Sequence, residues 1–289
     1  MIERIRVGGI TLAIRYRRES RAIELADRLL PFMPGHGADI RLELVEAAAP
    51  AVSPAALVFD SGSLWRVYQH GEDLVYAFRS PDAGDQRARV LVIDRARTRG
   101  TLHVAPSRYS RLRGFAMSYP LDEVLFQHAA AARGFMVVHA CGVAVESKVF
   151  LFCGESGAGK TTTARLWRRY HRAATVLSDD RMLVRPYRGR LWAFGTPWHG
   201  AGKFASPLGG RLAAILFLAR GDFSRVEPMP EAAAAAQLFT RAFPPMWEPA
   251  VVDTVLATCS RAAREIPCGT LYFRPDATSV RAVEGMLLR

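Results

Sequence analysis

The chain has 289 residues, half of them hydrophobic and 23% charged, which is enough for one large folded domain or two smaller ones with a buried core. Its 39 Lys and Arg residues outnumber its 27 Asp and Glu residues, and the net charge of +12 favours anionic partners such as nucleotides, phosphorylated metabolites, acidic peptides or nucleic acid. Because no long block of consecutive basic residues occurs, this charge is also typical of an Arg-rich solvated surface, and we do not expect a nucleic-acid partner.

The sequence also indicates where the protein resides. No apolar run approaches the ~20 residues of a membrane-spanning helix, and the N-terminus lacks the apolar core of a signal peptide. The four cysteines form no CxxC pair and have no His spacing suited to zinc, which is typical of reduced thiols. We therefore expect a soluble, cytoplasmic protein without membrane contact.

Short stretches of alternating larger apolar and small or polar side chains characterise the first hundred or so residues. Such period-two alternation, separated by Gly, Asp and Ser turns, predicts antiparallel strands. We predict a β-rich region over residues 1–118, with a short helix at residues 20–30 and a proline-containing linker at residues 47–56. The predicted strands are residues 10–17, 64–68, 74–78, 90–93 and 102–104.

A second region, residues 119–289, has the pattern of an α/β core with a mixed β-sheet and flanking helices. It opens with a helix from Pro120 to about Arg133, which Gly134 ends. Separate apolar runs follow at residues 135–138, 142–145 and 149–153. The later predicted elements are helices at residues 162–170, 231–239 and 249–264, and strands at residues 174–177, 181–184, 191–194, 212–219 and 270–273.

A glycine-rich segment after the run at residues 149–153 matches the full G-x-x-x-x-G-K-[ST] pattern of a P-loop, or Walker A motif, between a predicted strand and a predicted helix. Glycines let the backbone wrap a phosphate chain with several N–H groups pointing inward. Lys160 would reach the β- and γ-phosphates of ATP, and the Thr161 hydroxyl would bind Mg²⁺. The predicted nucleotide-binding residues are Gly154, Glu155, Ser156, Gly157, Ala158, Gly159, Lys160, Thr161 and Thr162.

Asp179 and Asp180 end the next hydrophobic strand, nineteen residues beyond Lys160. One crossover helix fills that interval, so we expect this strand to pair beside the P-loop strand and to bring both carboxylates to the phosphates. One carboxylate would hold the metal, and the other would take a proton from an attacking hydroxyl. The alternative is that Asp179 and Asp180 form a plain turn without a role in chemistry.

Two further features are less specific. His139 lies fifteen residues before the P-loop, and a lone histidine on an apolar strand is usually a core residue. Residues 195–203 combine three glycines with His199 and Lys203, which suits a loop that binds substrate or the transferred phosphoryl group. A structural turn with exposed polar side chains explains that segment equally well.

His139-Ala140-Cys141-Gly142, the P-loop and Leu177-Ser178-Asp179-Asp180 together resemble the core shared by HPr kinase/phosphorylase and ATP-dependent phosphoenolpyruvate carboxykinase. The resemblance implies that Lys160 and Thr161 handle the phosphates and Mg²⁺. In the kinase pattern Asp179 matches a metal ligand and Asp180 the catalytic base. In the carboxykinase pattern His139 and one aspartate of the pair lie at a second metal, so the roles of the two aspartates stay open.

The resemblance extends from about Pro120 to Val184, and residues 195–200 and 271–276 are similar to segments of uncharacterised bacterial HPr-kinase-like proteins. Two departures matter. The glutamate-bearing signature that follows the aspartate pair in true HPr kinases is absent, so HPr itself is not the expected substrate. The chain is also too short for a complete carboxykinase.

These features lead to an expected ATP- and Mg²⁺-dependent kinase with Asp180, Lys160 and His139 as catalytic residues and Thr161 and Asp179 at the metal. The acceptor would be a hydroxyl of a peptide, a protein or a small anionic metabolite, and a homo-oligomer is left open. The alternative is a nucleotide-gated regulatory protein without phosphoryl transfer, which would need fewer carboxylates. A transport ATPase would need an LSGGQ-like signature, and an adenylate-kinase-type enzyme a P-loop near the N-terminus.

Overall fold

The structure is a computed structural model that describes residues 2–16, 27–33, 35–79, 87–104 and 117–285. Its contacts divide the chain into two compact units, Met1–Ala132 and Arg133–Arg289. The boundary expected from sequence, 118/119, differs from this division by one helix, α1 (Leu121–Ala131). That helix belongs to the first unit because its polar side chains are paired there: Asp122 forms an ion pair of 2.6 Å with Arg28, and His128 Nδ1 lies 3.1 Å from the Tyr76 hydroxyl.

The first unit contains an eight-stranded mixed sheet in the order β1-β2-β3-β8-β7-β6-β5-β4. One face is buried, because inward side chains such as Ile5, Leu42 and Leu44 are at most 2% exposed and alternate with more exposed charged ones. The strands are β1 (Ile2–Val7), β2 (Ile10–Tyr16), β3 (Ile40–Glu46), β4 (Leu57–Asp60), β5 (Trp65–His70), β6 (Asp73–Arg79), β7 (Arg87–Ile93) and β8 (Arg99–Val104).

The structure of this unit departs from the sequence-based expectations in the direction of some strands and in the segment predicted as a helix. The antiparallel assignment is wrong for β2 with β3 and for β3 with β8, which are parallel pairs. Period-two alternation reports burial of one face and carries no information on strand direction, so the sequence could not separate the two cases. Of the helix predicted at residues 20–30, residues 20–26 lie outside the described residues, and Asp27–Phe32 forms a 3-10 helix.

The second unit contains the other mixed sheet. Its strands β10, β9, β12, β13 and β14 are paired in that order, and β14 also pairs with β10, so these five strands form a closed ring. β16 and then β15 extend the sheet from β14, and β11 pairs with β9. The strands are β9 (Met136–Val145), β10 (Lys148–Cys153), β11 (Ala174–Ser178), β12 (Arg181–Tyr187), β13 (Arg190–Gly195), β14 (Gly209–Arg220), β15 (Arg225–Pro228) and β16 (Cys268–Phe273).

Four helices accompany this sheet: α2 (Lys160–Tyr170), α3 (Glu231–Phe239), α4 (Pro249–Glu265) and α5 (Ala277–Glu284). Within the described part of the chain, no helix is both long enough and apolar enough to span a membrane. The separate apolar runs predicted at residues 135–138 and 142–145 are one strand, β9. The strand continues through Gly142, where a larger side chain would displace the Met182 thioether.

The core of the second unit fixes the position of α2. Trp167 on α2 is 1% exposed and stacks on Phe150 of β10, with ring centroids 5.9 Å apart, and it contacts Phe152 at the same distance. Burial of an aromatic side chain of this size contributes about 3 kcal/mol or more to the free energy of unfolding. The segment between β10 and α2 is therefore held firmly at both ends.

Candidate functional site

The predicted site residues come together at one edge of the second sheet, but by a different pairing from the one expected. β11 does not lie beside β10; it pairs with β9, which separates the two strands. Because β9 is antiparallel to both, β10 and β11 run in the same direction and their carboxyl ends reach the same edge. The chain then bends at Asp179 and Asp180, and β12 continues along the same side of β9, with Arg181 opposite His139.

The glycine-rich loop, residues 154–159, connects β10 to α2. Gly157 and Gly159 have positive φ angles of 81° and 104°, which favour glycine. A side chain on Gly159 would also meet the Phe273 ring at 2.5 Å, and one on Gly154 would meet Ala158 Cβ at 2.6 Å. The loop therefore needs its glycines both for backbone conformation and for close packing. The first N–H groups of a helix have no partner within the helix, and at the N-terminus of α2 the helix dipole favours an anion.

Lys160, the first residue of α2, is turned back onto this loop. Its ammonium donates hydrogen bonds of 2.9 Å to the carbonyl oxygens of Gly154 and Glu155, and the residue is only 7% exposed. Burial lowers the pKa of Lys160, and the nearby Asp180 carboxylate opposes that shift. An ammonium held mainly by neutral carbonyls in a buried position gains strongly from an anion placed beside it.

Asp179 lies at the centre of the site and is 1% exposed. Its Oδ2 accepts hydrogen bonds from the Thr161 hydroxyl at 2.8 Å and from the Gly202 N–H at 2.8 Å, and its Oδ1 accepts one from the Gly200 N–H at 2.9 Å. The two predicted metal ligands, Thr161 and Asp179, are thus in direct contact.

The donor set fits Mg²⁺ only with help from a ligand. Among the described residues, no group of three or more His, Cys, Asp or Glu side chains is arranged to hold a metal ion. Mg²⁺ in nucleotide sites is held by one or two protein oxygens, with phosphate oxygens and waters completing the octahedron. Thr161 and Asp179, which has a lone pair of Oδ1 still open, match that requirement.

Asp180 lies between the side chains of His139 and Arg181. His139 Nε2 lies 2.8 Å from its Oδ1, and an Arg181 guanidinium nitrogen lies 2.7 Å from its Oδ2. Burial alone would raise the pKa of Asp180, but the hydrogen bond from His139 and the charges of Arg181, His139 and Lys160 outweigh it, so the pKa is lowered. The side chain is 27% exposed, which makes it the more accessible of the two carboxylates.

Three residues of this region escaped the sequence analysis. Arg181 follows the aspartate pair directly, and a basic residue at that point could have indicated an ion pair with one of the two carboxylates. Its guanidinium carbon also lies 4.4 Å from the centroid of the Phe243 ring. Phe243 and Arg241, whose carbonyl accepts a hydrogen bond of 2.8 Å from the His139 N–H, come from a distant segment and carry no local signal.

The 195–203 loop reaches the site through its backbone. Side chains on Gly200 and Gly202 would lie 3.0 and 2.7 Å from Asp179 Oδ2, so glycine at these positions permits the N–H groups to approach the carboxylate. His199 Nδ1 lies 3.1 Å from the Gly200 carbonyl oxygen, and Lys203 is exposed with a φ of 55°. No hydrogen bond or ion pair between described residues joins either side chain to the aspartates, and their role as substrate ligands stays a prediction.

Neither a protein-family model nor a curated protein sequence matches this chain. Among solved structures, the chain is weakly similar to the Hpr(Ser) kinase/phosphatase from Coxiella burnetii, at 11% identity and a TM-score of 0.30. The match covers 53% of this chain and 88% of that one. A similarity at this TM-score does not support a functional assignment, so the functional proposal rests on the geometry of the site.

Proposed function

We propose that the protein is an ATP-dependent phosphotransferase, which moves the γ-phosphate of Mg²⁺·ATP to a hydroxyl of a peptide, a protein or a small anionic metabolite. The observation that supports this most directly is the contact of Thr161 with Asp179, beside a glycine-rich loop and an adjacent carboxylate, Asp180. Triphosphate binding, a metal position and a proton acceptor are the parts that phosphoryl transfer needs.

In this proposal the N–H groups of residues 154–159 and the N-terminus of α2 hold the phosphate chain. Lys160 would exchange its two loop carbonyls for phosphate oxygens. Thr161 and Asp179 would hold Mg²⁺, which neutralises charge on the β- and γ-phosphates when bound. The N–H groups of Gly200 and Gly202 would hold the Asp179 carboxylate in this orientation.

Asp180 is the better candidate for the base. Asp179 is almost fully buried, which leaves an acceptor hydroxyl little access to its carboxylate. Asp180 is partly accessible, and its lowered pKa keeps it ionised at neutral pH, as a proton acceptor must be. His139, hydrogen-bonded to Asp180, would orient the carboxylate and stabilise its charge.

One observation favours a second candidate function, a protein that binds nucleotide without transferring phosphate. Both Asp180 oxygens are paired with cationic or cation-forming side chains, and an ion-paired carboxylate with a lowered pKa is a weak base. The two candidates differ in whether any acceptor becomes phosphorylated.

The deciding experiment is incubation of the protein with γ-labelled ATP and Mg²⁺ in the presence of candidate acceptors, including peptides encoded beside its gene. We expect label on an acceptor hydroxyl, and none with Lys160→Ala, which should also bind ATP much more weakly. Near-normal turnover by Lys160→Ala would refute the nucleotide site. Tight ATP binding by the unmodified protein with no label on any acceptor would support the non-transferring alternative.

A further inference from the structure

The outward face of the sheet in the first unit carries an open groove with a volume of about 980 Å³. The groove crosses strands β1, β2, β3, β8 and β7 and reaches the start of β6, and its volume lies at the upper end of the range for ligand-binding clefts. Ala13, Ile2 and Val92 contribute apolar surface to it. Four arginines, Arg4, Arg15, Arg41 and Arg99, line the same groove.

The strand register places these arginines side by side. Arg41 is directly opposite Arg99 on the neighbouring strand, and Arg4 lies in the same row, separated from Arg41 by Ala13. Since adjacent strands are about 4.8 Å apart, the row spans roughly 14 Å. Arg15 belongs to the next row, opposite Ile2 and Glu43.

Within the described residues, none of the four arginine side chains forms a hydrogen bond or an ion pair, and the four arginines outnumber the two carboxylates that line the groove. Like charges directly opposite each other on adjacent strands destabilise a sheet. The Arg41–Arg99 pair therefore costs stability in isolation, and an external group with several negative charges at intervals of about 5–10 Å would remove that cost.

Other lining residues distinguish between anionic partners. Glu43 and Asp73 also line the groove, and their carboxylates would repel a uniformly charged polyanion. None of the described residues that line the groove is aromatic, whereas single-stranded nucleic acid is usually bound by base stacking on aromatic rings. A polypeptide with acidic side chains at intervals, and with N–H donors and apolar side chains between them, fits the mixture of arginines, carboxylates and apolar floor.

We propose that this groove, which we call the arginine groove, is a docking site for an acidic polypeptide segment. The acidic side chains pair with Arg4, Arg41 and Arg99 across the strands and with Arg15 in the neighbouring row, while the intervening apolar side chains lie on Ala13 and Ile2. This docking is a binding function of the first unit and does not require phosphoryl transfer. Its test therefore measures binding alone.

The test measures fluorescence anisotropy of a labelled peptide of alternating Glu and Ala residues with the full-length protein. The unmodified protein should bind this peptide, bind its Gln-Ala counterpart much more weakly, and lose affinity as salt is raised. Arg41→Glu/Arg99→Glu should raise the Kd at least about tenfold, since each lost charge pair contributes a fraction of the free energy and each new carboxylate repels the peptide.

A matched control is Arg172→Glu/Arg264→Glu, which makes the same change in net charge at two exposed arginines outside the groove. We expect its Kd to change less than about twofold, because neither arginine is among the residues that line the groove. If charge reversal prevents folding, as judged by circular dichroism, Arg41→Gln/Arg99→Gln removes the charges while keeping polar side chains.

Three results would overturn the proposal. One is equal loss of affinity in the groove variant and the control variant, which would indicate attraction by net charge alone. Another is equal binding of the Glu-Ala and Gln-Ala peptides. The third is a single-stranded oligonucleotide that binds more tightly than the acidic peptide and loses affinity in the groove variant, which would make the groove a nucleic-acid site.

Discussion

Asp179 and Asp180 are consecutive in sequence, yet neutral hydrogen-bond donors surround the first and basic side chains surround the second. On the Asp179 side, the carboxylate is buried among neutral donors: two backbone N–H groups of the 195–203 loop and the Thr161 hydroxyl. On the Asp180 side, the carboxylate is partly exposed between His139 and Arg181. Fixed neutral donors hold a charge in place, whereas a histidine neighbour can exchange a proton, so the two sides are suited to metal binding and to proton transfer respectively.

The largest effect expected from this comparison is on the Asp180 side. Asp180→Asn should reduce phosphoryl transfer by about 10²–10⁴-fold, the usual contribution of a positioned general base, and leave ATP binding within a small factor. Transfer is measured with γ-labelled ATP and binding by calorimetry. The control is Asp253→Asn, which makes the same chemical change at an exposed position on α4. Undiminished transfer by Asp180→Asn would remove Asp180 as the base.

On the Asp179 side we expect a stability effect as well as a functional one. Asp179→Asn places an NH₂ group among donors, so at least one buried donor loses its acceptor, which costs about 1–3 kcal/mol in the free energy of unfolding. Urea denaturation measures the loss, and the Mg²⁺ concentration needed for half-maximal turnover should rise. Equal stability of Asp179→Asn and Asp253→Asn would show that the carboxylate is not held as described.

The 195–203 loop offers a smaller perturbation of the same side. In Gly202→Ala the new Cβ would lie 2.7 Å from Asp179 Oδ2, so the loop or the carboxylate must move. We expect a loss of about 1–3 kcal/mol in the free energy of unfolding, the usual cost of overpacking. Gly285→Ala is the matched control, because its nearest neighbour to a new Cβ is 3.8 Å away. A Gly202→Ala protein as stable as the control would contradict the close approach.

The smallest effect concerns pH on the Asp180 side. Arg181 lowers the pKa of Asp180, so Arg181→Gln should raise that pKa and move the acidic limb of the activity profile to higher pH. A carboxylate whose pKa is lowered by folding stabilises the folded state above its unfolded pKa, and this contribution is lost as pH falls through the folded value. The stability difference between Asp180→Asn and the unmodified protein should therefore shrink on acidification. An acidic limb that does not move in Arg181→Gln would show that Arg181 does not tune Asp180.

Local patterns in the sequence were sufficient to predict several helices and strands of this molecule. The helix predicted at residues 231–239 is confirmed as α3 with the same bounds, and the strands predicted at residues 74–78 and 149–153 are confirmed within one residue at each end. The approach of Asp179 to the glycine-rich loop was expected from a motif, a crossover helix and a strand end within a short stretch of chain, although the expected pairing of β11 beside β10 was wrong. Amphipathic periodicity and glycine conformation are local properties, so a single sequence reveals them.

Tertiary structure alone decided the pairing of strands and the surroundings of the two aspartates. β11 reaches the correct edge of the sheet although it pairs with β9, because only the direction of a strand, and not its immediate neighbour, determines where its carboxyl end lies. The donors from Gly200 and Gly202, the ring of Phe243 beside Arg181, and the row of Arg4, Arg41 and Arg99 all depend on segments distant in sequence. The sequence by itself determined which groups could carry charge, and the packing of distant segments determined which of them meet.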